Sequence, residues 1–106
     1  MFDNLEVTKE TDQCSILVKG EVSFKDAINL KECIFGLADD GHKKIVVNLR
    51  NITFLDSSGI GILLNSQRYL AAKKGILELQ NIKSEIMEVL KIAGLDKDLN
   101  IVNVAT

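Results

Sequence analysis

The chain of 106 residues contains no proline and no tryptophan, and it has one histidine, one tyrosine and two cysteines. Without proline it holds no proline-rich linker, and no repeat or low-complexity tract is visible. Aromatic residues make up only 5% of the chain and do not form a platform for stacked bases. The 13 basic and 15 acidic residues are interspersed without a basic stripe. We therefore predict no nucleic acid partner.

The few cysteines and the short apolar runs restrict the function further. Cys14 and Cys33 lie within apolar patterns, and neither has a second cysteine or a histidine at ligand spacing. This predicts two buried free thiols, with no disulfide, no metal site and no bound cofactor. The sequence also shows no signal-peptide pattern and no apolar run long enough for a membrane helix. We predict a cytoplasmic protein without a membrane partner.

The overall composition fits one folded domain over residues 1–106. Hydrophobic residues make up 46% of the chain and charged residues 26%. A chain of this length can build a core without a metal or a disulfide. Hydrophobic periodicity predicts the element order ββαβαβαβ. The predicted strands cover residues 5–7, 14–18, 44–49, 76–79 and 99–104, the last of them at an edge, and the predicted helices cover 25–41, 57–75 and 84–94.

Strand–helix–strand repeats of this length imply right-handed crossovers and a largely parallel sheet, which the first hairpin makes mixed. We therefore predict an α/β fold with a mixed, mostly parallel sheet of four to five strands and three to four helices. The apolar stripe of the first helix contains Ala27, Leu30, Ile34 and Leu37. The second helix is expected to begin at Ser57 or Ser58, and the third to be capped by Asn81 or Ser84 and to stop at Gly94.

The most informative segment is Asp56, Ser57, Ser58 and Gly59, which lies between a predicted strand and a predicted helix. A helix N-terminus carries unpaired N–H groups and partial positive charge, so it stabilises an anion such as a phosphorylated serine. Serine and aspartate before an apolar helix are also ordinary N-caps. Both interpretations fit the spacing.

Three enzyme classes fit this segment poorly. A serine hydrolase needs a Gly-x-Ser-x-Gly turn and a histidine base, whereas His42 is expected in a solvated turn at the other end of the strand. A phosphate-loop motif is absent; Gly59 and Gly61 form only a Gly-x-Gly, which close helix packing explains equally well. A receiver domain would use Asp56, but Glu21 alone stands where an acidic pair is needed. The residues favour a regulated binding module over an enzyme.

Four segments together give a more specific indication. They are VKGEV at 18–22, IVVNL at 45–49, FLDSSGIG at 54–61 and VLKIAGL at 89–95. In this order and spacing they resemble the STAS domain of bacterial anti-sigma factor antagonists. The resemblance covers nearly the whole chain.

The resemblance implies a function as well as a fold. In that family the domain binds an anti-sigma factor, which is a serine kinase of the GHKL ATPase type, and so frees the sigma factor. The kinase phosphorylates the second hydroxyl residue of Asp-Ser-Ser/Thr-Gly, the pair separates, and a serine phosphatase resets the switch. Carried onto this chain, the phosphorylated residue is Ser58, flanked by Asp56, Ser57 and Gly59. A switching antagonist is expected to be a monomer when free.

Two departures from the family pattern accompany the resemblance. The family often has an aspartate at the partner surface where this chain has Ser23; Glu21 and Ser23 are kept as candidate partner contacts. The family also usually ends in a further helix, for which residues 101–106 leave little room. One alternative is a STAS scaffold subunit that oligomerises without using Ser58. Another is a domain that binds a nucleotide or small ligand.

Overall fold

The computed structural model describes residues 4–105, which fold as an α/β domain. Its elements, in chain order, are β1 (Leu5–Lys9), β2 (Cys14–Val22), α1 (Phe24–Asp39), β3 (Lys44–Leu55), α2 (Ser57–Ala72), β4 (Ile76–Gln80), β5 (Ile82–Lys83), α3 (Ser84–Ala93) and β6 (Val104–Ala105). One short 3₁₀ turn, Asp96–Asp98, follows α3.

The main sheet has four strands in the order β1-β2-β3-β4. β1 and β2 form the predicted antiparallel hairpin, while β2, β3 and β4 run parallel. β5 and β6 form a separate two-stranded parallel sheet. The predicted class, a mixed and mostly parallel α/β sheet with three helices among the described residues, is confirmed.

Burial follows the sequence pattern of each element. In β2 every second residue from Cys14 to Val18 is buried, as expected for an alternating strand. In β3 the run Ile45, Val46 and Val47 is buried throughout, as expected for a central strand covered on both faces. All four residues of the predicted α1 stripe are buried. Cys14 and Cys33 are free and buried, and this burial raises the pKa of both thiols.

β2 and β3 are longer than predicted, and the last predicted strand is interrupted. β2 continues to Val22 instead of ending near residue 18. β3 continues to Leu55 instead of ending near residue 49, because its pairing with β2 continues through register shifts on both sides of Gly20. Gly20 has a φ of +78°, which glycine adopts without strain. The predicted edge strand at 99–104 is not continuous. Ile101 makes one bridge to Leu79, and β6 pairs with β5 instead.

The N-cap predicted for α3 is wrong, whereas its predicted stop at Gly94 is confirmed. The N-cap is Lys83, and Ser84 is already the first helical residue. Asn81 lies in a left-handed turn with φ +57°, where its amide groups hydrogen-bond with Asn48 and Asn103. Gly94 ends the helix with φ +74°, as predicted.

Candidate functional site

The parallel register of β2 and β3 brings the starts of α1 and α2 together. Val22 and Leu55, the last residues of the two strands, are paired neighbours. Ser23 follows β2 and is the N-cap of α1, and Asp56 follows β3 and is the N-cap of α2. Both residues have an extended backbone. The N-termini of both helices therefore open at the same edge of the sheet. We call this region the helix mouth; it comprises residues 21–24 and 54–59.

Asp56 caps α2. Its Oδ1 accepts a hydrogen bond from the backbone N–H of Gly59 at 3.1 Å, and its carbonyl oxygen accepts one from Ile60 N at 3.1 Å. This is the usual N-cap geometry, in which one unpaired donor of the first turn is satisfied. The capping interpretation is therefore confirmed for Asp56. Ser57, which by residue type could also cap a helix, does not supply the cap.

Ser57 and Ser58 are the first two residues of α2, as the sequence predicted. Ser57 is exposed and Ser58 is half-buried. Because Asp56 supplies the cap, neither serine is needed for that purpose. Both hydroxyls belong to the first helical turn, where the dipole and the N–H groups favour a negative charge.

Gly59 holds the first turn of α2 against the ends of β2 and β3. It is buried, and a Cβ placed on it would overlap Cδ1 of Leu55 and lie 3.3 Å from Cγ1 of Val22. Glycine at this position is thus explained by close packing. The same expectation is wrong for Gly61, which has open space where a Cβ would lie. The close approach at Gly59 fixes the position of Ser58, its neighbour.

The α1 side of the mouth carries the two other predicted contact residues. Ser23 is half-buried, and its hydroxyl donates to Oδ2 of Asp26 at 3.2 Å rather than to the helix backbone. Glu21 is exposed and pairs in register with Phe54 of β3. The structure therefore brings Glu21 and Ser23 to the same edge as Asp56, Ser57 and Ser58.

Two exposed aromatic residues at the mouth were not named as contacts from the sequence, although Phe24 ends the loop Gly20–Phe24 that was expected in the interface. Phe24 at the start of α1 is 67% exposed, and Phe54 near the end of β3 is 51% exposed. Large apolar side chains with this much exposure beside polar groups are typical of interaction surfaces. Phe24 is an apolar residue outside the apolar stripe of α1. This position could have identified it from the sequence as an exposed aromatic residue.

His42 lies in the loop between α1 and β3, at the opposite end of β3 from the mouth, and is half-buried rather than fully solvated. It is the chain's only histidine, so the serines have no histidine base beside them. Within residues 4–105 no group of three or more histidine, cysteine or acidic side chains is arranged to hold a metal ion.

None of the helices described here is long and apolar enough to cross a membrane.

Comparison with known proteins identifies the family of this chain. The STAS domain family model matches residues 4–105. The anti-sigma-B factor antagonist of Staphylococcus aureus (strain NCTC 8325 / PS 47) is 30% identical over 103 residues, which cover 97% of this chain and 94% of that protein.

Two solved structures of SpoIIAA share the fold. Unphosphorylated SpoIIAA, an anti-sigma factor antagonist, superposes with a TM-score of 0.78 and 24% identity over 93% of this chain and 88% of that one. The phosphorylated form of SpoIIAA, a Bacillus cell fate determinant, gives a TM-score of 0.74 with 24% identity over 93% and 91% of the two chains. The resemblance found in the sequence is thereby confirmed, and the chain belongs to the STAS domain family.

Proposed function

We propose that this protein is an anti-sigma factor antagonist controlled by phosphorylation of Ser58. In its unmodified form it binds an anti-sigma factor serine kinase in the cytoplasm and frees the sigma factor. Phosphorylation of Ser58 by that kinase separates the pair, and a serine phosphatase restores the binding form. The observation that carries the proposal is the position of Ser58, half-buried in the first turn of a helix that Asp56 already caps.

The fold can tolerate a phosphate at Ser58. A phosphoserine carries about −1.5 to −2 charges near neutral pH. The dipole of α2, a helix of 16 residues, stabilises negative charge in the first turn by roughly 0.3–2 kcal/mol. The carboxylate of Asp56 opposes this through like-charge repulsion. Since the first turn is already anchored by Gly59 and the Asp56 cap, we expect the modified helix to stay in place.

The complex with the anti-sigma factor is more sensitive to a phosphate at Ser58 than the fold is. A partner surface seated on the helix mouth would meet the new charges directly and would have to desolvate them. An interface penalty of about 3 kcal/mol weakens binding roughly a hundredfold. The modification therefore releases the partner without unfolding the domain.

The rest of the mouth supplies the proposed contact area. The exposed rings of Phe24 and Phe54 provide apolar contacts, and Glu21 and Ser23 provide polar contacts next to them. Aromatic residues are frequent among the side chains that dominate binding energy, and polar residues frequent at the rim. The free protein is proposed to be a monomer, because the same mouth must stay open for the kinase.

The test is the intact mass of the purified protein after incubation with Mg-ATP and a lysate of its host. Wild type is compared with Ser57→Ala and Ser58→Ala. We expect one added phosphoryl group on wild type and on Ser57→Ala, and none on Ser58→Ala. If a lysate with proven kinase activity adds nothing to wild type, or if Ser58→Ala is still modified, the proposal fails.

A further inference from the structure

The helices α1 and α2 lie side by side, and two of their contacts show how they are aligned. The rings of Phe35 and Tyr69 stack with their centroids 3.9 Å apart. About one helical turn further on, Nζ of Lys73 lies 3.5 Å from Oδ1 of Asp39. Both contacts join residues that are 34 positions apart in the chain. Each helix has 16 residues and begins at the same edge of the sheet, so this alignment extends to the helix mouth.

The same alignment identifies the residues that face each other nearer the mouth. Apolar and polar side chains recur on both helices at intervals of four and then seven residues, which keep side chains on one face of a helix. On α1 these residues are Phe24, Ile28 and Phe35, and on α2 they are Ser58, Ile62 and Tyr69. Ser58 is therefore placed beside Phe24, and Ile62 beside Ile28. We call the strip formed by these four residues the seam.

Beyond the seam, the space between the helices is covered by the protein's own charged groups. Nζ of Lys31 lies 5.4 Å from the centroid of the Phe35 ring, and Nζ of Lys73 lies 5.2 Å from that of Tyr69. The hydroxyl of Tyr69 also donates to Oδ1 of Asp39 at 2.5 Å. The aromatic stack thus has polar cover of its own.

The seam itself leaves more apolar surface open to solvent. Phe24 and Ile28 are 67% and 38% exposed, and Ile62 is half-buried. Because Phe24 belongs both to the seam and to the helix mouth, the apolar strip continues into the mouth without a break. Apolar surface of this kind next to polar groups is typical of a protein interface.

A partner large enough to cover Ser58 also reaches the seam. A standard protein interface buries about 800 Å² on each partner, which corresponds to a disc with a radius of roughly 16 Å. Four residues along a helix span about 6 Å, and the axes of packed helices lie about 8–10 Å apart. Ile28 and Ile62 therefore fall inside a disc centred on Ser58. Phe35 and Tyr69 lie roughly 16 Å further along their helices, at its rim.

We propose that the anti-sigma factor places apolar side chains on the seam, so that Ile28 and Ile62 are buried in the complex together with Phe24. This inference rests on the proposed function and names a further part of the same interface. It also bears on release of the partner. A phosphate on Ser58 lies one helical turn from Ile62, against the apolar side chains of the partner, where its charge has to be desolvated.

The first experiment follows the isoleucine methyl signals of the ¹³C-methyl-labelled protein by NMR. Purified, unlabelled anti-sigma factor is added with a non-hydrolysable ATP analogue, so that the serines stay unmodified. Ile60, in the first turn of α2, reports whether the complex forms. We expect the signals of Ile28 and Ile62 to shift together with that of Ile60. Ile76, which is 41% exposed at the far end of the sheet, should keep its signal unchanged.

A matched pair of variants measures the contribution of the seam to affinity. Ile28→Thr should weaken binding at least threefold in titration calorimetry, because each buried methylene contributes about fourfold and the new hydroxyl loses water. Ile76→Thr makes the same exchange at a residue of similar exposure and should bind like wild type. Circular dichroism checks that both variants are folded.

Shifts at Ile60 and at Ile86 of α3, without shifts at Ile28 and Ile62, would turn the interface toward α3 and overturn the inference. Equal affinities of folded Ile28→Thr and wild type would do the same. Both results leave the proposed function standing, because the complex forms. If no isoleucine signal shifts, the complex does not form, and the proposed function fails together with the inference.

Discussion

Val22 and Leu55 are paired neighbours at the ends of β2 and β3, and Gly59 of α2 lies against both side chains. This contact sets the height at which α2 begins above the sheet edge. Since Ser58 precedes Gly59, the same contact places the proposed phosphorylation site beside the start of α1. The packing of α2 and the proposed function therefore depend on one small cluster.

We predict that Gly59→Ala lowers stability relative to Gly61→Ala. Both changes replace a glycine near the start of α2, so the gain in helix propensity is similar. Only the methyl group at residue 59 meets Leu55 and Val22, whereas residue 61 has open space. Overpacking of this kind typically costs about 1–3 kcal/mol. Urea unfolding followed by circular dichroism gives both free energies, and equal values for the two variants would contradict the packing argument.

The Asp56 cap leads to a second stability prediction. Asp56→Ala removes the acceptor of the Gly59 N–H bond and should cost about 0.5–2 kcal/mol of unfolding free energy. Asp56→Asn keeps a side-chain oxygen and should retain most of that stability, since asparagine caps helices about as well as aspartate. The same urea titration measures both variants. A loss as large in Asp56→Asn as in Asp56→Ala would show that the charge, and not the capping bond, stabilises the helix.

The sequence was sufficient for the elements whose pattern is local. The β-branched run at Ile45, Val46 and Val47 and the stripe of α1 each identify their element by periodicity alone. The start of α2 was also predictable, because Asp56, Ser57 and Ser58 precede an apolar helix. These features depend on neighbours a few residues apart.

Features that depend on distant pairing were not predictable. The extension of β3 to Leu55 depends on the register shifts near Gly20 in another strand. The exposure of Phe54 depends on where two helices begin above the sheet. Ser84 looks like a better cap than Lys83, yet the pairing of β5 with β6 decides where α3 starts. Local propensity does not contain this information.

We predict that Phe24 contributes to partner binding but little to stability. Phe24→Ala removes a ring that is 67% exposed, so the unfolding free energy should change by less than about 1 kcal/mol. If the ring is buried by the anti-sigma factor, its loss should weaken the complex about tenfold or more. Ile76→Ala is the control, because Ile76 is 41% exposed at the far end of the sheet. Titration calorimetry with the purified kinase measures both variants, and similar small effects would remove Phe24 from the interface.

The last prediction separates charge at Ser58 from loss of its hydroxyl. Ser58→Asp adds a negative charge to the first turn of α2 beside Asp56, and should weaken binding of the anti-sigma factor up to about a hundredfold. Ser58→Ala adds no charge and should bind like wild type while resisting phosphorylation. Both variants should unfold within about 1 kcal/mol of wild type, because the Asp56 cap and the Gly59 contact are retained. Binding of Ser58→Asp as tight as wild type would refute charge-driven release and would favour a scaffold role in which Ser58 is not used.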